Sequence, residues 1–218
     1  MKISPYHLPP RILLVGLCLA ATIGLQQCQC LRIGKALVQA LVTRSGAPPK
    51  QELREISARS VQFQQNAPSG QVCIYAVNHL DSTAAVLDTA ALLLRQKLQS
   101  NGFQKICLIP DPKIFPFHPQ PNELAIFWER AYAFRKETAP LHGAYDYLLM
   151  LDIFGNLAQK SVVAVHVCAL NRSREFAYLG LFNSHHAIFR ETDPHDISDA
   201  LDIFITDFHR ESDKPSKP

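Results

Sequence analysis

Gln71 to Ile109 reads QVCIYAVNHLDSTAAVLDTAALLLRQKLQSNGFQKICLI. It reads as a strand, a short polar loop, a long helix, a tight turn and a second strand. Val72 to Val77 is a short apolar run of the kind that forms a buried strand. Asn78, His79, Asp81, Ser82 and Thr83 supply loop and helix-start residues, with Asp81 or Ser82 able to cap orphan backbone N–H groups. From Ala84 to Leu98 the residues Val86, Leu87, Ala90, Ala91, Leu94 and Leu98 form one stripe, wide enough to cover a sheet. Asn101-Gly102 stops the helix because both residues tolerate positive φ. Lys105 to Ile109 is a second strand. Two strands joined by one helix of this length make a parallel, right-handed crossover.

The remaining segments extend that unit. Gln51 to Ser60 reads as a polar helix, Val61 to Phe63 as a short strand and Asn66 to Gly70 as a turn. Pro110 to Pro121 carries five prolines in 12 residues, which excludes helix and central strand. Ile114, Phe115 and Phe117 are its apolar anchors or a partner-facing patch. Asn122 to Thr138 reads as a helix with an aromatic stripe directed at the core. Tyr145 to Phe154, Ser161 to Leu170 and Glu175 to Phe189 read as three strands, the last bent near Asn183-Ser184. Thr192-Asp193-Pro194 opens a closing helix, with Asp193 as its cap. The fold class is α/β (α+β): a mixed sheet with a β-α-β crossover, a three-strand antiparallel meander and a C-terminal helix.

Met1 to Arg11 carries Lys2 and Arg11, and Ile12 to Leu25 is an uncharged apolar run of 14 residues. That length suits the apolar region of a signal peptide and is short for a membrane span. Export is expected, with residues 1–27 as signal peptide. Cys28 follows directly, as a lipidated cysteine follows its leader; Leu25-Gln26-Gln27-Cys28 resembles a lipobox at Leu25 and differs at Gln27. A cut after Gly24 is the competing expectation. Residues 28–60 read as a tether and helical segment, 61–211 as one domain and 212–218 as a polar tail.

The net charge of +3 is too weak and scattered for a nucleic-acid face. Cys73, Cys107 and Cys168 fall inside expected strands and read as buried free thiols. A Cys73–Cys107 disulfide is the alternative if their strands are neighbours, since nothing in the sequence sets that distance.

With the element order in hand, the chain resembles bacterial envelope lipoproteins carrying the TolB amino-terminal-domain type of fold. That fold occurs in curli-secretion channel proteins and penicillin-binding-protein activators. The matching residues are Val72–Asn78, the helix to Leu98, Asn101-Gly102-Phe103, Gly143 to Leu148 and the helix Asp196–Phe208. The proline-rich insert departs from the pattern. The resemblance implies a non-enzymatic periplasmic accessory or assembly factor. It would be anchored through Cys28, require no cofactor and bind an envelope protein partner. Asn78, His79, Asp81, Phe115 and Phe117 are the candidate partner-binding residues: the first three in the loop at the carboxyl end of the first strand, where open α/β sheets bind, and the two phenylalanines in the proline-rich loop.

An enzyme or metal site is the other class considered. His79, His166, His185 and His186 are its candidates, with Asp152 as a distant carboxylate. No nucleophile elbow, Walker A, glycine-rich dinucleotide loop or H-E-x-x-H pattern occurs. Strand alternation would send His185 and His186 to opposite faces. Asp146 and Asp152 share a face and read as solvated or edge positions.

Overall fold

The computed structural model describes residues 50–212, apart from residues 82, 116, 119–121 and 142–144. The leader, Cys28 and the tail beyond residue 212 lie outside the described residues. One compact unit begins at Pro48.

Six strands form one mixed sheet. β1 (Gln71–Leu80) and β4 (Tyr147–Asn156) are parallel neighbours at its centre. β5 (Ser161–Asn171) and β6 (Phe176–Asn183) follow β4 as an antiparallel meander. The other edge of β1 is shared. Its first half pairs in parallel with β3 (Lys105–Leu108), and its second half pairs antiparallel with β2 (Ala84–Val86). The α/β class, the crossover and the meander thus match the expectation from the sequence.

Helices cover both faces. Val72, Ile74, Val77, Leu149, Leu151, Val165 and Val167 point to one side, as the period of two requires. They pack there against Ala90, Leu94 and Leu98 of α2 (Asp88–Ser100) and Ala200, Leu201, Phe204 and Phe208 of α5 (Ile197–Ser212). α3 (Glu123–Glu137) lies on the opposite face. α1 (Lys50–Asn66) runs beside β6, where Arg59 Nε donates to the Phe176 carbonyl oxygen at 2.8 Å. Phe63 of α1 is fully buried and meets the rings of Tyr147, Tyr178 and Phe208.

Several local expectations change. Val61–Phe63 is helical, because Phe63 gains more by filling the core within α1 than a three-residue strand would. A domain boundary at residue 61 therefore cuts through a helix. Residues 84–86 form a strand on the free half of β1, so α2 begins at Asp88 and Asp81 does not cap it; Leu87 occupies the cap position without a side-chain bond, and Ser82 lies outside the described residues. β6 ends at Asn183, and the apolar residues after it form α4 (Ala187–Thr192). Asp193 closes α4 with φ of 46° instead of opening α5. Asp196 takes the capping role, accepting from the Asp199 N–H at 3.0 Å. Asn122 caps α3 through the Leu124 N–H, inside the boundaries expected for that helix.

Cys73 and Cys107 are direct register partners on β1 and β3, with Cα atoms 4.5 Å apart, and are joined as a disulfide. The free-thiol reading is corrected for this pair. Cys168 remains free and buried. No helix among the described residues is long and apolar enough to cross a membrane.

Candidate functional site

One row of residues crosses the sheet beneath α3. Register places Asn78 opposite Asp152, Asp152 opposite His166, and His166 opposite Leu181. Alternation turns this whole row toward α3. Glu123 and Arg130 lie seven residues apart on α3, two helical turns, so both reach down to the row.

Asp152 is 1% exposed and Arg130 2% exposed. Arg130 Nε donates to Asp152 Oδ2 at 2.6 Å, and Nη2 donates to Oδ1 at 2.8 Å. Asn78 Nδ2 donates to the same Oδ1 at 2.7 Å. The third arm of the guanidinium, Nη1, donates to the Phe115 carbonyl at 3.0 Å. Two carboxylate oxygens therefore accept three donors, and the fork of Arg130 ties the proline-rich loop to the sheet. A charge pair this deep is tolerated because both members are hydrogen-bonded throughout.

Beside it, His166 is packed between Phe127 and Phe154, with ring centroids at 5.2 and 4.3 Å. Its Nε2 bonds Glu123 Oε1 at 3.1 Å, while Asn183 Nδ2 donates to Glu123 Oε2 at 2.8 Å. The His166 bond holds the Glu123 carboxyl below its usual range; the Asn183 bond adds to this, against the opposing effect of burial. An ionised Glu123 accepts, so His166 carries its proton on Nε2. Its Nδ1 is buried with no partner. Two residues along β5, burial pushes the Cys168 thiol well above its ordinary value, and the Asp152 carboxylate pushes it the same way.

The candidate residues from the sequence are thus distributed differently. Asn78 is 2% exposed and belongs to the internal network; Phe115 is 2% exposed and stacks on Tyr75 at 5.5 Å. Both expectations of a partner-facing role are corrected, because their interacting atoms are used inside the fold. His79 is half-buried and donates through Nε2 to the Gly155 carbonyl at 2.7 Å. Phe117 is half-buried against Phe154, and Asp81 is exposed, its carboxylate accepting from Thr83 N–H at 3.0 Å. Asp152 is enclosed rather than solvated, whereas Asp146 is exposed and accepts from the Gln71 N–H at 2.9 Å.

The histidines stand apart in role. His166 is beneath α3, and His79 is at the end of β1. His185 and His186 lie in the turn after β6, with His186 packed on Phe182 at 4.9 Å. No group of three or more His, Cys, Asp or Glu side chains among the described residues is placed to hold a metal ion. The Arg130–Asp152 pair fixes α3 and the loop before it to the sheet.

Sequence reasoning missed Arg130 and Glu123. The available signal was an arginine on the same stripe as Phe127 and Phe134, an expensive place for a charge without a buried partner.

No protein-family model matches the chain, and no curated protein matches it either. The architecture defines a class, an α/β domain with a mixed sheet covered on both faces.

Proposed function

We propose that this protein is a non-enzymatic component of a bacterial envelope, exported and lipid-anchored at Cys28. It serves there as an accessory or assembly factor through protein contacts. The observation that carries this reading is the Cys73–Cys107 disulfide. Disulfides persist in oxidising compartments and are rare where thiols are kept reduced. A basic start followed by an apolar run of 14 residues and a cysteine is the leader that would deliver the chain to such a compartment.

Two further observations support a binding role over a chemical one. Asn78, Arg130 and Asp152, all buried, are turned toward one another and hydrogen-bonded across β1, β4 and α3. The exposed apolar residues include Ile114 of the proline-rich loop and Leu124 at the start of α3.

The test is expression in a bacterium followed by fractionation, comparing the natural chain with Cys28→Ala. The natural chain is expected in the membrane fraction on the periplasmic side. Cys28→Ala is expected to lose membrane association while keeping its fold. Cytoplasmic recovery of both, with Cys73 and Cys107 reduced, would contradict the proposal.

A further inference from the structure

The amino end of α3 rests lightly on the sheet. Asn122 is exposed, Leu124 is 45% exposed and Ala125 is half-buried, whereas Ile126, Phe127 and Trp128 in the next turn are buried. Among the described residues, the side-chain hydrogen bonds that tie this end to the sheet are those of Glu123. Its Oε1 accepts from His166 of β5 and its Oε2 from Asn183 at the end of β6. One carboxylate thus joins three elements, with a separate donor on each oxygen.

That carboxylate is within reach of protons from water, since its side chain is 37% exposed. Beneath it the His166 ring is enclosed, with its Nδ1 buried and unpartnered. The ion pair of Arg130 with Asp152 of β4 anchors α3 two turns further on and does not involve Glu123. Facing Glu123 are His166 and His185, the latter from the turn after β6; each favours the ionised carboxyl when cationic. His118 of the proline-rich loop is bonded to Glu129.

Protonation weakens both ties at once. A neutral carboxyl lacks the charge that strengthens its two bonds. One of its oxygens also becomes a donor, set against the Asn183 amide or the His166 N–H, which are donors themselves. The positive end of the helix dipole favours the ionised form as well. Leu124, nearly half in water, offers little apolar packing in their place.

We infer that Glu123 is an acid-released latch: its protonation frees the amino end of α3 from β5 and β6 and admits water to His166, while the Arg130–Asp152 pair keeps the rest of the helix seated. The bonds from His166 and Asn183 hold the carboxyl below its ordinary range, which places release below about pH 4.5. The inference concerns the folded domain and is independent of how the amino terminus is processed.

Amide hydrogen exchange of the full-length protein tests it, read between about pH 6 and about pH 3 and corrected for the intrinsic rate at each pH. The amides of Phe127 and Trp128 bond to carbonyls of the released turn, whereas those of Phe134 and Arg135 bond to carbonyls at or beyond Arg130. Protection at Phe127 and Trp128 should fall by about tenfold or more in acid while Phe134 and Arg135 keep theirs. Glu123→Gln, which has no carboxyl to protonate, should show the same protection throughout. Asn183→Asp keeps the acceptor for the His185 N–H and removes the donor to Glu123, so release should move to higher pH. Unchanged protection in the natural chain, the same loss in Glu123→Gln, loss at all four amides together, or an unmoved midpoint in Asn183→Asp would overturn the latch. Should Glu123→Gln fail to fold, the Asn183→Asp midpoint decides.

Discussion

Arg130 of α3 and Asp152 of β4 meet as a two-point ion pair, at 2.6 and 2.8 Å, with both side chains withdrawn from water. The pair joins the helix to the centre of the sheet, and through the Phe115 carbonyl it also holds the loop that precedes the helix. Its worth lies in what its loss would leave behind. Truncating one member strands a buried charge, which costs about 3–5 kcal/mol. Arg130→Ala and Asp152→Ala are each expected to lose that much in urea unfolding followed by Trp128 emission. Arg130→Met combined with Asp152→Leu should recover most of it, since an apolar pair of similar volume strands nothing.

The Cys73–Cys107 bond closes a loop across a sequence separation of 34. Chain-entropy arguments put such a crosslink at about 2–4 kcal/mol. The four-residue β3 depends on it most. Denaturation with and without dithiothreitol should show a loss of that size. Cys73→Ala/Cys107→Ala should match the reduced protein and no longer respond to the reductant.

Glu123 sets an acid limb. Its folded pKa lies below its ordinary value, chiefly through the His166 bond. A lowered carboxyl contributes stability that is present above the unfolded pKa of about 4.3 and lost as pH falls through the folded one. The natural protein should therefore lose stability more steeply below about pH 4.5 than Glu123→Gln does, in melting temperatures recorded from pH 7 to pH 3. Parallel curves would contradict the role given to this carboxylate.

Cys168 should resist alkylation. Burial and the Asp152 carboxylate both disfavour its thiolate, the reactive form. Iodoacetamide at pH 8 should leave it unmodified in the folded protein, as read by peptide mass mapping, and label it on unfolding in guanidinium.

The parts of the fold that could be read from the sequence are those where one residue pattern had one physical solution. Val72 to Val77 and Ser161 to Leu170 are too apolar and β-branched to be anything but central strands. The Leu94 and Leu98 stripe needs a sheet beneath it. Where tertiary contacts decided, the local pattern misled. Ala84 to Val86 looks helical by composition but pairs as β2, because the carboxyl half of β1 has a free edge there. The residues after Asn183 look like a continued strand, yet the Asn183 side chain accepts from the His185 N–H at 2.9 Å and turns the chain into α4. The polar network was least legible. Arg130 and Asp152 lie 22 residues apart on different elements, and only the packing of α3 brings them together. The disulfide was visible only as a pair of strand cysteines until the parallel register of β1 and β3 set them opposite one another.

Gly155 is a position where the backbone leaves no choice. It sits at the β4–β5 irregularity with φ of 141°, and a Cβ there would overlap the Ser161 carbonyl oxygen. Gly155→Ala is expected to destabilise by about 1–3 kcal/mol and to shift the His79 ring signals in NMR spectra, because His79 bonds the Gly155 carbonyl.

The account depends most on the amino terminus of the mature protein. Intact mass and peptide mapping of protein purified from bacterial membranes measure it directly. The expected result is a chain beginning at Cys28 with the added mass of a diacylglyceryl group, with or without a further amide-linked acyl chain. An unmodified chain beginning at Leu25, or one that retains Met1, would contradict the lipid anchor.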